Sequence, residues 1–177
     1  MNTKILTADL QQSKIVWTGK KVTGEHTGTI NILSGIIETE DSQIKNGRFE
    51  IDTTSIVITD ITDPETKQQF AGHLASDDFF ASNKYPVALF IINNVSHTGG
   101  NNYLIDGNLT IKNITQSQSF SAVLNFAENA LTMNGKIIID RTKFDMRFRS
   151  GNFFQNLGDN LIYNDFILDV DVIATPK

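Results

Sequence analysis

Residues 103–112 read YLIDGNLTIK, and apolar and polar side chains alternate along most of this stretch. Its apolar face consists of Tyr103, Ile105, Leu109 and Ile111, with Gly107 among them. A repeat of two residues is the period of a β-strand that has one buried face and one wet face. Half-buried strands are typical of antiparallel sheets, because the strands of a parallel sheet are usually buried on both faces.

The same alternation continues in both directions along the chain. It recurs in SFSAVLNFA (119–127) and in residues 162–172, and five more stretches have strand composition: SKIVWTGK, GTINILSG, GRFEIDTTSIVI, VALFIINNV and GKIIIDR. The dipeptides that separate these strands as turns are Ser34-Gly35, Asn46-Gly47, Gly99-Gly100 and Asn134-Gly135. The two Asn-Gly pairs are predicted hairpin turns, because both residue types tolerate positive φ. We therefore predict about eight or more strands in a single domain of residues 1–177.

One segment breaks the strand pattern. Thr62 or Asp63 is a candidate N-cap, Pro64 suits the first helical position, and Phe70 and Leu74 are four residues apart on one helix face. The sequence therefore predicts one short helix, from Pro64 to about Ala75, in an otherwise all-β chain. A closed barrel and a two-sheet sandwich both satisfy this pattern of strands.

The composition is that of an average globular domain, with 40% hydrophobic and 20% charged residues in 177. The net charge of −5 disfavours a nucleic-acid partner, and the absence of cysteine excludes disulfides and thiolate chemistry. No apolar run approaches the roughly 18 residues of a transmembrane segment. Because no signal peptide is visible, we expect a cytoplasmic protein if Met1 is the native start, and a periplasmic or secreted one if a leader was removed.

Catalytic and metal-binding motifs are missing from the sequence. Its three histidines, His26, His73 and His97, have no known zinc spacing, so we predict no metal and no cofactor. An enzyme that uses His73 with Asp77 or Asp78 as an acid–base pair remains an alternative.

Residues 140–154, DRTKFDMRFRSGNFF, alternate cationic and apolar side chains. We interpret them as a strand whose cationic side is either an ordinary wet face or a ligand contact.

Five stretches, in order and at fitting separations, resemble the YceI-like family of lipid-binding bacterial proteins from Leu6 to Ile173. They are SKIVWTGKKVTGEHTG, GRFEIDTTSIVITD, GHLASDDFFASNKYPVALF, YLIDGNLTIKNIT and IIIDRTKFDM. His73 and Phe80 stand in the family's positions in the third stretch, and Arg141 does so in the fifth. The chain departs from the family at Asn113, where Gly is usual, but Asn can also adopt the left-handed conformation.

The resemblance implies a lipocalin-like, antiparallel up-and-down β-barrel of about eight strands. It also implies that a long-chain apolar small molecule (a polyisoprenoid, fatty acid or fatty amide) is carried or sequestered inside. A filled barrel that acts through protein contacts is a further alternative, and the oligomeric state is open, a homodimer included. The predicted ligand contacts, with His73 and Arg141 at the head group, are Ile30, His73, Phe80, Phe90, Leu109, Phe126, Ile139, Arg141, Phe166 and Leu168.

Overall fold

The computed structural model describes residues 2–177 and contains nine strands in that part of the chain. The strands are β1 Thr3–Ala8, β2 Lys14–Lys21, β3 Gly24–Glu40, β4 Gln43–Ile58, β5 Val87–Gly99, β6 Asn102–Ile111, β7 Ile114–Phe126, β8 Leu131–Asp140 and β9 Ile162–Pro176. One α-helix, α1, spans Pro64–Leu74, and two short 3-10 helices span Arg141–Phe144 and Gly158–Asn160.

The sheet closes on itself. Strands β2 to β9 follow one another around the barrel, β9 pairs with β2, and every pairing is antiparallel. The ninth strand, β1, lies between β3 and β9 and pairs with both. The predicted eight-stranded antiparallel barrel is therefore confirmed, with one additional strand, and the sandwich alternative is wrong.

The inward faces follow the alternation in the sequence. On β6, Ile105, Leu109 and Ile111 are buried, and on β7, Phe120 and Leu124 are buried. These side chains form the barrel interior, as the period of two predicted.

Where adjacent residues were both apolar, the structure decides which of them points inward. On β8, Ile139 is 1% exposed whereas Ile138 is 54% exposed. On β5, Phe90 is buried and its neighbour Leu89 is only partly buried. Ile139 and Phe90 therefore belong to the interior.

Three of the predicted turns are wrong. Ser34-Gly35 lies within β3, Asn46-Gly47 lies within β4, and Asn134-Gly135 lies within β8. The turn between β3 and β4 is formed instead by Asp41 and Ser42, which both have positive φ. Gly135 is needed for packing, because a Cβ there would come within 3.0 Å of the Phe120 ring. A strand glycine can thus mark a close approach of another side chain as well as a turn.

The predicted helix is confirmed. Pro64 occupies its first turn, and the Asp63 side chain accepts a hydrogen bond from the backbone N–H of Thr66 at 3.1 Å. This contact identifies Asp63, rather than Thr62, as the N-cap. The helix connects β4 to β5 and so lies at one end of the barrel, which we call the helix end; the opposite end, with the β3–β4 and β5–β6 turns, is the far end.

The prediction of a strand over residues 140–154 is wrong beyond Asp140, where β8 ends. Residues 141–144 form a 3-10 helix, and Asp145 and Arg149 have positive φ, which stops extended pairing. Phe144 and Met146 are buried against the barrel. We call α1, residues 75–86 and residues 141–161 together the cover of the helix end.

Candidate functional site

A cavity of about 310 Å³ occupies the helix end of the barrel, beneath the cover. Its wall is mostly apolar and is formed by strands of the barrel together with α1 and the two loops of the cover. Of the predicted ligand contacts, those that line it are Ile30, His73, Phe80, Leu109, Ile139, Arg141, Phe166 and Leu168. The structure thus brings eight predicted positions, from residue 30 to residue 168, to one chamber.

The other two predicted contacts lie elsewhere in the barrel. Phe90 is buried on β5, with its ring centroid 5.8 Å from that of Phe120. Phe126 lies near the far end and packs against Tyr103, with ring centroids 6.2 Å apart. Neither lines the cavity.

Several aromatic residues of the wall were not among the predicted contacts. Trp17 on β2 stacks with Phe70 of α1 at a centroid distance of 6.5 Å, and its Nε1 donates to the carbonyl of Thr29. The Trp17 ring lies so close to Gly28 that a Cβ there would come within 2.6 Å of it. Trp17 could have been found from the sequence, because it shares the inward period of Ile15.

Arg141 is the most deeply buried charged residue of the wall, with 3% of its surface exposed. Its guanidinium donates hydrogen bonds to three backbone carbonyls, those of Met146 at 2.6 Å, Ile162 at 3.1 Å and Tyr163 at 3.1 Å. These bonds attach the loop of the cover to the start of β9. Burial lowers the pKa of Arg141 below its ordinary value, although the nearby Asp140 carboxylate opposes this shift.

His73 lies at the end of α1, in the corner that leads towards β5. Its Nε2 lies 2.9 Å from a carboxylate oxygen of Asp78, and its ring packs edge-on against Phe79 and Phe148. Asp77, the other acid of the alternative acid–base pair, forms an ion pair with Lys84 instead. The contacts of this corner therefore join α1 to both loops of the cover.

Apart from Arg141, the charged side chains of the cavity wall are exposed or partly exposed, and they surround the mouth of the cavity. Within residues 2–177, the cationic side chains of the wall are Lys20, Lys21, Arg141 and Arg149, and the carboxylate is Asp165. Lys20 is 3.9 Å from the carboxylate of Glu25, and Arg149 lies over the ring of Phe148. The chamber thus combines apolar walls with a predominantly cationic mouth, although the whole chain carries a net charge of −5.

The family model of the YceI-like domain matches residues 6–174, nearly the whole chain. The chain belongs to the YceI-like family. No curated protein matches it at a significant level. In the part of the chain that the structure describes, no helix has the length and apolar character to cross a membrane, and no three His, Asp or Glu residues form a metal-binding group.

Solved structures share this YceI-like fold at low sequence identity. BcnA of Burkholderia cenocepacia is 21% identical, with a TM-score of 0.77 over 95% of this chain and 99% of BcnA. A polyisoprenoid binding domain from Saccharophagus degradans, implicated in plant cell wall breakdown, is 15% identical, with a TM-score of 0.71 over 99% and 100% of the two chains. The YCEI protein of Campylobacter jejuni is 17% identical, with a TM-score of 0.61 over 90% and 84%.

Proposed function

We propose that this protein binds an elongated apolar molecule in the helix-end cavity and carries or sequesters it. The observation that supports this most directly is the cavity wall, in which apolar side chains surround a chamber with only a few polar groups at its mouth. Sites for apolar small molecules are generally concave, mostly apolar and provided with a few polar groups that fix orientation. Membership of the YceI-like family and similarity to a polyisoprenoid binding domain point the same way.

In the proposed arrangement the ligand's tail lies against Leu109, Ile139 and Leu168, and its head lies near Arg141 and His73. Each buried methylene contributes about 0.8 kcal/mol, so a tail of about a dozen offsets the several kcal/mol lost when a ligand is immobilised. The cationic mouth suits a fatty acid carboxylate better than an uncharged head group, because a carboxylate can accept charge-assisted hydrogen bonds. We propose binding rather than catalysis, since the cavity wall is mostly apolar and neither Asp77 nor Asp78 is part of it.

The test combines extraction with titration. Mass spectrometry of an organic extract of the purified protein should reveal a co-purified lipid, and a fluorescent fatty-chain probe should bind. Leu109→Gln places an amide in the cavity wall without a designed partner, which costs about 1–3 kcal/mol, and should weaken the probe's Kd at least about fivefold. Leu104→Gln is the matched control, since Leu104 lies on the same strand with the opposite orientation.

Two outcomes would contradict the proposal. If Leu109→Gln stays folded and binds the probe as tightly as the unmodified protein, the cavity is not the site. If neither lipid nor probe is bound, the filled-barrel alternative is favoured. Turnover of a bound acyl compound that is lost in His73→Gln would instead favour the acid–base alternative.

A further inference from the structure

We propose that the cavity accepts a single hydrocarbon tail of only about ten to twelve carbons, and that three phenylalanines set this limit. They are Phe49 on β4, Phe90 on β5 and Phe120 on β7, and we call them the aromatic floor. This inference rests on the proposed function and deepens it, because it names the class of ligand as an amphiphile with a medium-length tail.

The aromatic floor lies immediately beyond the cavity. Phe49 and Phe90 are register partners on adjacent strands, and the Phe90 ring centroid is 5.8 Å from that of Phe120. All three side chains are buried, and none lines the cavity. Leu109, which does line it, is the register partner of Phe90 on β6. The cavity therefore ends where the three rings begin.

The rings of the aromatic floor pack against strand glycines at the barrel wall and against buried side chains on the far-end side. The Phe90 ring lies over Gly107, where a Cβ would come within 2.6 Å of it, and the Phe120 ring lies over Gly135. Beyond the rings, towards the far end, the interior is filled by side chains that are almost completely buried, including Ile92, Ile105 and Leu124. Because protein interiors are close-packed, a longer tail could pass the floor only by displacing these groups.

The volume of the cavity gives the expected length. An engineered apolar cavity of about 150 Å³ binds a benzene molecule, which has six carbons. By the same proportion, a cavity of about 310 Å³ holds about a dozen carbons. Carbons beyond this number would remain at the mouth, in contact with water, and would add little affinity.

The test is a chain-length series measured by displacement of the fluorescent probe. Saturated fatty acids of about eight to eighteen carbons should bind about fourfold more tightly with each methylene, the factor that corresponds to about 0.8 kcal/mol. Beyond about twelve carbons the Kd should become constant within about twofold. Isoprenoid alcohols of about ten, fifteen and twenty carbons form a second arm, which separates a limit on tail size from a preference for straight chains.

Two variants should move the limit in opposite directions. Phe90→Ala removes a ring of the floor and should extend the limit by about three carbons, given the volume of a phenyl ring. Ala88→Leu adds a side chain to the cavity wall without removing any of the packed interior, and should shorten the limit by about three carbons. Leu124→Ala is the control, because it removes a buried side chain beyond the floor and should leave the limit unchanged.

Three outcomes would contradict the proposed function, the length limit and the role of the aromatic floor, respectively. If no chain and no probe binds, the proposed function itself is wrong. If affinity in the unmodified protein keeps rising to about eighteen carbons, or the longest isoprenoid binds most tightly, the limit is wrong while binding stands. If the limit exists but neither Ala88→Leu nor a folded Phe90→Ala moves it, the aromatic floor does not set it.

Discussion

The two ends of this barrel are built from the same alternating strands, yet one is packed solid and the other is hollow. In the far half, rings such as those of Phe90 and Phe120 lie over strand glycines, and their volume fills the interior. In the helix half, Phe79 and Phe148 come from the cover instead, and they close the chamber from above. The alternation determines which side chains enter the barrel, whereas the position of the aromatic rings determines whether space remains.

We expect the largest loss of stability when a side chain is added at a strand glycine that the packing of the far half requires. In Gly107→Ala the new Cβ would come within 2.3 Å of the Ile91 carbonyl and 2.6 Å of the Phe90 ring. Because neither the strand backbone nor the buried ring can move freely, we expect a loss of about 3 kcal/mol in the free energy of unfolding, measured by urea denaturation.

Gly72→Ala is the control for this substitution. Gly72 lies in α1 with no atom within 4 Å of an added Cβ, so we expect a gain of about 0.5–1 kcal/mol there. A folded Gly107→Ala protein as stable as the unmodified one would show that the far half can repack, contrary to the comparison of the two ends.

Substituting one leucine in each half compares the packing of the two halves directly. Leu124 is almost completely buried in the far half, whereas Leu168 is partly exposed and faces the cavity. We expect Leu124→Ala to cost about 3 kcal/mol and Leu168→Ala about 1 kcal/mol, because little packing is lost where one side of the residue already faces empty space. Equal losses in thermal or urea unfolding of the ligand-free protein would mean that the helix half is packed as tightly as the far half.

The alternation predicted the strands and the family resemblance predicted the closed barrel, but most of the turns were predicted wrongly. The period of two identified the inward face of β6, β7 and β9, and the capping residues identified α1. The two Asn-Gly pairs were wrongly predicted as turns. Gly135 lies in a strand and accommodates the Phe120 ring, and the β3–β4 turn is formed by Asp41 and Ser42. Strand β1 was missed, since its six residues depend on pairing with both β3 and β9.

The candidate site could also be predicted only in part from the alternation of apolar and polar residues. Alternation gives the face of a residue but not its depth along the barrel. Leu109 and Phe90 are both inward and opposite each other, yet only Leu109 lines the cavity. Contact of Phe90 or Phe126 with a ligand stays a prediction, and for Phe126 it would require a tail that passes the aromatic floor. Phe148 lies in the segment whose alternation we interpreted as a strand, so its position in a loop over the cavity was not predicted.

The smallest effect is expected at the N-terminus of α1, where the stability of the first helical turn should depend on pH. Hydrogen bonds from the Thr66 side chain and backbone lower the pKa of Asp63 below its ordinary value of 3.8. A carboxylate with a lowered pKa in the folded state stabilises that state above its unfolded pKa and ceases to do so as the pH falls through its folded pKa. We therefore expect the first turn of α1 to fray at pH values below 3.8, before the far half unfolds.

This prediction can be followed by the NMR signals of the α1 amides during acid titration. The turn after β1 provides a far-end reference, because Asp9 also has a lowered pKa, caused first by its hydrogen bond from the Gln12 side chain. Asp63→Asn keeps an acceptor at the N-cap but removes the titrating group, so its α1 signals should change less with pH. Since α1 has no fully buried residue, its fraying should release the fatty-chain probe while the far half stays folded. Identical acid titrations of α1 in the unmodified protein and in Asp63→Asn would exclude Asp63 as the group that links the cover to pH.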